Sequence, residues 1–131
     1  MKSNNTQKSK EQNKGILIAE DDAQIRNLLS DLLIKNYHVF VASDGFEVKN
    51  CFRYFGKRIN LVIADLQLPN TNGEELVFWL REQNESLPIL LIISYIGESK
   101  LERLLSLDKI ALLIKPFDIE ELLEKLNGLM D

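Results

Sequence analysis

Acidic side chains directly follow two apolar runs of the sequence. The run ILIA at 16–19 is followed by three consecutive acids, Glu20, Asp21 and Asp22. The run LVIA at 61–64 repeats the pattern with a single carboxylate, Asp65. An ionised carboxylate is costly to bury alone, so Asp65 must be solvated, paired with a cation or bound to a metal. Chemistry rather than packing is the better explanation of the pair Glu20 and Asp21 and of Asp65.

A hydroxyl and an ammonium follow two further apolar runs. The run ILLII at 89–93 is followed by Ser94. The run ALLI at 111–114 is followed by Lys115, which precedes Pro116. In an open parallel sheet, ligands bind beyond the carboxyl ends of the strands, so these groups would share one rim with the acids. Clustered carboxylates repel one another unless a cation joins them, and oxygen-only ligands with room for water suit Mg²⁺. We therefore predict a magnesium site at this rim.

The elements that position these groups alternate along the chain. Short, continuous apolar runs are typical of strands buried on both faces, and apolar residues at helical spacing separate them. The predicted strands lie within 15–19, 37–42, 59–65, 89–94 and 111–114. The predicted helices lie within 22–36, 46–55, 74–80, 101–105 and 118–129. This alternation predicts the α/β class, with a five-stranded parallel sheet in a three-layer αβα sandwich.

Composition and charge limit the possible functions. The 131 residues suffice for one domain with a real core, and the single cysteine excludes an internal disulfide. Residues 1–14 hold four lysines and one glutamate, a charge of +3 that leaves −7 for residues 15–131. We expect a disordered polar tail at 1–14 and one domain at 15–131. The acidic domain disfavours nucleic-acid binding, and the lack of an apolar leader or membrane span predicts a cytoplasmic protein.

Three motifs together resemble the response-regulator receiver domain, the phospho-acceptor module of bacterial two-component signalling. They are ILIAEDDAQIRNLL from residue 16, DLQLPNTNG from residue 65 and KPF at 115–117, before the last helix. Each motif is weak alone, but their joint order and their placement on strands are specific. The resemblance covers about residues 14–131 and implies a flavodoxin-like strand order 2-1-3-4-5.

The resemblance also implies a role for each residue of the rim. Asp65 would accept a phosphoryl group from a histidine kinase or phosphotransfer protein, and Lys115 would pair with it. Mg²⁺ would be held by Glu20, Asp21, Asp65 and the backbone carbonyl of Gln67. Such a domain catalyses its own aspartyl phosphorylation and dephosphorylation and signals through contacts with a downstream protein. Asp22 is better explained as the N-cap of the first helix.

Three positions depart from the family pattern. The family places Thr or Ser at the end of the fourth strand; Ser94 is the candidate, but the usual spacing would put Ile93 there. The residue after that hydroxyl is normally small, and here it is Tyr95. The aromatic expected three residues before the lysine is replaced by Leu112. Phosphate capture is therefore better supported than transmission by the usual switch.

Other interpretations remain open from the sequence alone. Asp65 could be a turn residue before LPNTNG, and Lys115 an ordinary surface lysine. A degenerate receiver would act as a constitutive interaction module without switching, as Leu112 and Tyr95 suggest. A phosphohydrolase with Asp65 as nucleophile is less well supported, because such enzymes place a second Asp where this chain has Gln67.

Overall fold

The computed structural model describes residues 14–94 and 98–130 of the chain. The strands are β1 (Gly15–Ala19), β2 (His38–Ala42), β3 (Leu61–Asp65), β4 (Ile89–Ile93) and β5 (Ile110–Ile114). The helices are α1 (Ala23–Leu33), α2 (Gly45–Phe55), α3 (Gly73–Gln83), α4 (Glu98–Leu105) and α5 (Ile119–Met130), and a short 3₁₀ helix spans Gly56–Arg58. The predicted alternation of strands and helices is confirmed.

The five strands form one parallel sheet in the order β2-β1-β3-β4-β5. This is the order that the resemblance implies, and it places β1 and β3 side by side at the centre. Their register pairs Ala19 with Ala64, so the residues that follow, Glu20 and Asp65, emerge together at the same edge. The order of the strands therefore brings the two acidic motifs together.

Alternate side chains of the central strands enter two separate cores, which confirms the three-layer sandwich. On one face, Leu17 and Val62 pack with α2, α3 and α4; on the other, Ile18 and Ile63 pack with α1 and α5. All four of these strand side chains are fully buried. Burial on both faces explains why the strands read as continuous apolar runs.

Several elements are shorter than the sequence pattern indicates. The sequence predicts a first helix that reaches Asn36, but the helix ends at Leu33. A turn follows, in which the carbonyl of Leu33 accepts hydrogen bonds from the backbone N–H groups of Asn36 and Tyr37. The resulting turn also delays the second strand until His38. The helix thus ends at Leu33, which is also the last apolar residue at helical spacing.

Side-chain caps fix the starts of the helices around the rim. Asp22 accepts hydrogen bonds from the backbone N–H groups of Gln24 and Ile25, which agrees with its predicted capping role. Asp44, Asn72 and Asp118 each accept one from the third residue beyond the cap. The predicted tail lies almost wholly outside the described residues. None of the described helices is long and apolar enough to cross a membrane.

Candidate functional site

Three carboxylates meet at the carboxyl ends of β1 and β3. Oxygen atoms of Glu20, Asp21 and Asp65 all lie within 4.8 Å of one another. Glu20 is fully buried and Asp65 is 4% exposed, whereas Asp21 faces solvent. Hard oxygen donors at such short separation, with one side open to water, suit a divalent cation such as Mg²⁺.

Asp65 is held by one hydrogen bond on each carboxylate oxygen. Its Oδ1 accepts from the backbone N–H of Gln67 at 2.8 Å, and its Oδ2 accepts from Nζ of Lys115 at 2.7 Å. The turn that follows Asp65 is closely packed, because a Cβ on Gly73 would overlap the carbonyl oxygen of Leu66. The carboxylate is thus fixed in position, with a positive charge on one side.

Lys115 reaches the site from the edge strand β5. Its backbone N–H donates to the carbonyl of Ile93, which extends the pairing with β4, and its peptide bond to Pro116 is cis. Partial burial lowers the pKa of the ammonium, but the hydrogen bond and charge of Asp65, together with Glu20 and Asp21, raise it overall. Lys115 therefore carries its positive charge throughout the physiological pH range.

The environment of the Glu20 carboxylate indicates whether a cation fits this site. Its Oε2 accepts a hydrogen bond from the backbone N–H of Asp22, but its buried Oε1 accepts none from the described residues and lies 3.8 Å from Nζ of Lys115. Burial raises the pKa of Glu20 to about 7, and the charge of Asp65 adds to the shift. A buried carboxylate oxygen without a donor, beside two other carboxylates, fits a metal ion.

Two residues that sequence reasoning did not single out hold the loops of the site. The guanidinium of Arg26 donates to the backbone carbonyls of Glu20 and Asp21, at 2.9 and 3.3 Å. The hydroxyl of Thr71 accepts from the backbone N–H of Gly45 and donates to the carbonyl of Pro69. Arg26 lies one turn beyond the Asp22 cap, where a cation can reach back to the acidic loop; Thr71 carried no comparable sequence signal.

The two candidates at the end of the fourth strand lie in different environments. Ile93 is 5% exposed and packs in the core beneath α3 and α4. Ser94 is exposed at the rim, and its hydroxyl donates to Oε1 of Gln67 at 3.0 Å. Ser94 therefore presents the hydroxyl on the same side of the sheet edge as the acidic cluster.

Leu112, another departure from the family pattern, lies in the edge strand β5. Leu112 pairs with Leu91 in the β4–β5 register and packs, half-buried, against the core that contains Ile93 and Leu104. It has no hydroxyl or ring to respond to the site. Tyr95, which replaces the usual small residue, lies outside the described residues.

A family profile identifies the domain that carries this site. The family profile of the response regulator receiver domain matches residues 16–127. The chain belongs to this family. Receiver domains take phosphoryl groups from histidine kinases and generally bind Mg²⁺ at an acidic pocket.

Relatives of this receiver domain come from several signalling proteins. It is 34% identical over 118 residues to response regulator MprA of a Mycobacterium species and 32% identical over 117 residues to hybrid signal transduction histidine kinase D of Dictyostelium discoideum. Each match covers 88% of this chain, 50% of the first relative and 7% of the second. The chain thus spans half or less of the length of these curated relatives.

Solved receiver structures share the fold of this one. The non-phosphorylated HemR receiver domain of Leptospira biflexa superposes with a TM-score of 0.82 at 28% identity, covering 90% of this chain and 94% of that one. Chemotaxis protein CheY4 of Vibrio cholerae superposes with a TM-score of 0.77, also at 28% identity, covering 88% and 98%. The similarity therefore extends over nearly the whole of both solved domains.

Proposed function

We propose that this receiver domain accepts a phosphoryl group on Asp65 and signals through contacts with another protein. One observation carries the proposal: the buried Asp65 carboxylate lies between the Lys115 ammonium and the Gln67 N–H, and two more carboxylates adjoin it. A single fixed nucleophile with a cation on one side and metal-ligand oxygens on the other is what phosphoryl transfer requires.

The transfer follows from this arrangement. An oxygen of Asp65 attacks the phosphorus of a phosphohistidine on a histidine kinase or phosphotransfer protein. The O–P bond forms as the N–P bond breaks, and the imidazole nitrogen leaves with the electron pair and takes a proton from solvent. Lys115 neutralises charge on the phosphoryl oxygens, because its ammonium is already 2.7 Å from the carboxylate.

The acidic cluster would hold the metal in this scheme. Glu20, Asp21 and Asp65 would be its ligands, directly or through water. The backbone carbonyl of Gln67 would be a further ligand. A bound Mg²⁺ supplies positive charge to the transferring phosphoryl group. The ion would also give the buried Oε1 of Glu20 a partner, which it lacks among the described residues.

Ser94 is the group that would detect the product. Its hydroxyl donates to Gln67 before transfer, and a phosphoryl oxygen is a stronger, charged acceptor. The aspartyl phosphate is an acyl phosphate, which water can cleave, so the signal is self-limiting; we propose that the domain also catalyses this dephosphorylation. We place this chemistry in the cytoplasm, with a downstream protein rather than nucleic acid as the target.

A second candidate is a degenerate receiver that binds a partner without switching. The observation in its favour is Leu112, which packs half-buried against the core at the position where the family has a switching aromatic. A population shift needs differential contacts in two states, and one expected contact is absent. In this case the domain would keep the acidic pocket, but phosphorylation would cause no conformational change outside it.

Intact mass after incubation with acetyl phosphate and Mg²⁺ tests the proposal. We expect one added phosphoryl group, lost in the Asp65→Asn variant and without metal. Amide NMR spectra with beryllofluoride should show shifts that spread to β5 and α5. Labelling without spreading shifts would favour the degenerate receiver, whereas labelling of Asp65→Asn would refute the assignment of the acceptor.

A further inference from the structure

A cluster of cations lies at the end of the sheet opposite Asp65. Residues 48–58 contain Lys49, Arg53, Lys57 and Arg58 and no acid, so they carry +4, while the rest of residues 15–131 carries −11. The backbone carbonyl of Arg58 lies against Gly15, where β1 begins, so this cluster adjoins the amino ends of the strands. The cluster is thus separated from the acidic rim by the length of the strands.

Three of these cations line one open groove. The groove has a volume of about 670 Å³ and runs from the end of α2 and the 3₁₀ helix to Gln83 and Asn84 at the end of α3. Its lining includes Arg53, Lys57 and Arg58 but no acidic residue. We call this feature the basic groove. Its charge is opposite to that of the domain as a whole.

Arg58 is held in place without using its hydrogen-bond donors. Its guanidinium carbon lies 5.4 Å from the centre of the Phe40 ring and 5.9 Å from that of Phe55. The two rings contact each other at 5.2 Å. Within residues 14–94 and 98–130, the guanidinium makes no hydrogen bond or ion pair. A stacked arginine with free N–H groups is preorganised to bind a planar oxyanion such as a carboxylate.

The neighbouring side chains extend this binding surface. Lys57 makes no hydrogen bond or ion pair with any described residue, and the ring of Tyr54 is 79% exposed. Cations near a helix C-terminus also stabilise the helix by interacting with its dipole, which is an alternative explanation of the cluster. The dipole, however, explains neither the free donors of Arg58 nor the exposed ring of Tyr54. Both are features of a protein-binding surface, where aromatic rings and arginine are enriched.

We propose that the basic groove binds an acidic segment of a partner protein. Arg58 receives a carboxylate, Lys57 and Arg53 receive further acidic side chains, and Tyr54 contacts an apolar residue between them. Residues 1–14 are excluded as the occupant because they are themselves basic. A long nucleic acid is disfavoured because beyond the groove it would meet the −11 charge of the remaining domain. This inference goes beyond the proposed function and does not depend on phosphorylation.

Fluorescence anisotropy tests the proposal with the full chain. The probe is a short fluorescein-labelled peptide of glutamates and tryptophans, and its control replaces each glutamate by glutamine. We expect a Kd below about 100 µM for the acidic peptide only. The same Kd is expected for Asp65→Asn, which separates this inference from the phosphoryl chemistry.

Matched variants locate the binding. Lys57→Glu should weaken binding at least about fivefold, whereas Lys125→Glu makes the same charge change at an exposed position of α5 and should not. Arg58→Lys keeps the charge but loses the planar fork, so it should also weaken binding. Urea unfolding midpoints verify that each variant is folded.

Three outcomes would overturn the proposal. The first is no binding of the acidic peptide. The second is that Lys57→Glu and Lys125→Glu weaken binding of the peptide equally, which would show a general electrostatic attraction instead of a specific site. The third is tighter binding to oligo-dT or to phosphatidylserine vesicles than to the peptide, which would assign the groove to a nucleic acid or a membrane.

Discussion

Nζ of Lys115 lies 2.7 Å from Oδ2 of Asp65, although the two residues are 50 positions apart in the chain. Asp65 is the last residue of the central strand β3, and Lys115 directly follows the edge strand β5. Strand β4 lies between the two. The same ammonium lies 3.8 Å from the buried carboxylate of Glu20. One lysine is therefore the main counter-charge for two buried acids, and its removal should affect both stability and chemistry.

Lys115→Met should destabilise the metal-free protein. The variant leaves Asp65 and Glu20 without their cation. We expect a loss of about 1–3 kcal/mol in the free energy of unfolding, less than for a fully buried pair, because the lysine is partly solvated. Urea unfolding in EDTA measures it. Lys125→Met, with no ion pair among the described residues, is the matched control. Equal losses in the two variants would contradict a specific role for Lys115.

Glu20→Gln should stabilise the metal-free protein at high pH. The folded-state pKa of Glu20, about 7, lies above its ordinary value of 4.5, so the protonated form is favoured by folding. That contribution is fully present below pH 4.5 and is lost as the pH rises through about 7. Each pKa unit is about 1.4 kcal/mol, so ionisation of Glu20 costs about 3 kcal/mol.

Urea midpoints of the wild type and Glu20→Gln from pH 4 to pH 8, in EDTA, test this sign. The two proteins should be similar near pH 4, and the variant should be the more stable at pH 8. Mg²⁺ should stabilise the wild type at pH 8 more than the variant, since only Glu20 gains a charged ligand interaction. A difference that does not change with pH would refute the argument.

Asp21→Asn should weaken Mg²⁺ binding at least about tenfold, because it removes a charged ligand from the cluster. Asp22→Asn makes the same change one residue away, and asparagine is as good an N-cap as aspartate. We expect Asp22→Asn to leave the affinity nearly unchanged. Calorimetric titration with Mg²⁺ measures both. Similar losses would mean that overall charge, rather than ligation by Asp21, determines binding.

Ser94→Ala should leave phosphorylation intact but reduce the conformational response that phosphorylation causes in the rest of the domain. Ser94 is exposed, so the free energy of unfolding should change by less than about 0.5 kcal/mol. Beryllofluoride-induced amide shifts in β5 and α5 should shrink, because the hydroxyl can no longer move from Gln67 to the phosphoryl group. Unchanged shifts would show that the signal does not pass through Ser94. Ser106→Ala, at an exposed serine just beyond α4, is the control.

The sequence by itself determined the α/β fold class and the residue types that follow each strand. Apolar runs such as LVIA at 61–64 indicate strands buried on both faces, and they are interrupted by amphipathic helices, which permits few architectures. Because parallel strands end at a common edge, the sequence alone predicts that Glu20, Asp65 and Lys115 lie at one rim. These are local properties of composition and period, and a sequence records them directly.

Only the tertiary structure decided which atoms meet. Sequence spacing left Ile93 and Ser94 as alternatives, and core packing placed the first inside and the second at the rim. The stacking of Arg58 on Phe40 joins the 3₁₀ helix to β2, and no local pattern encodes it. Such contacts depend on the register of neighbouring strands and on where each helix ends. Both are set by packing and hydrogen bonds between segments far apart in the chain, so the spacing of residues within one segment does not specify them.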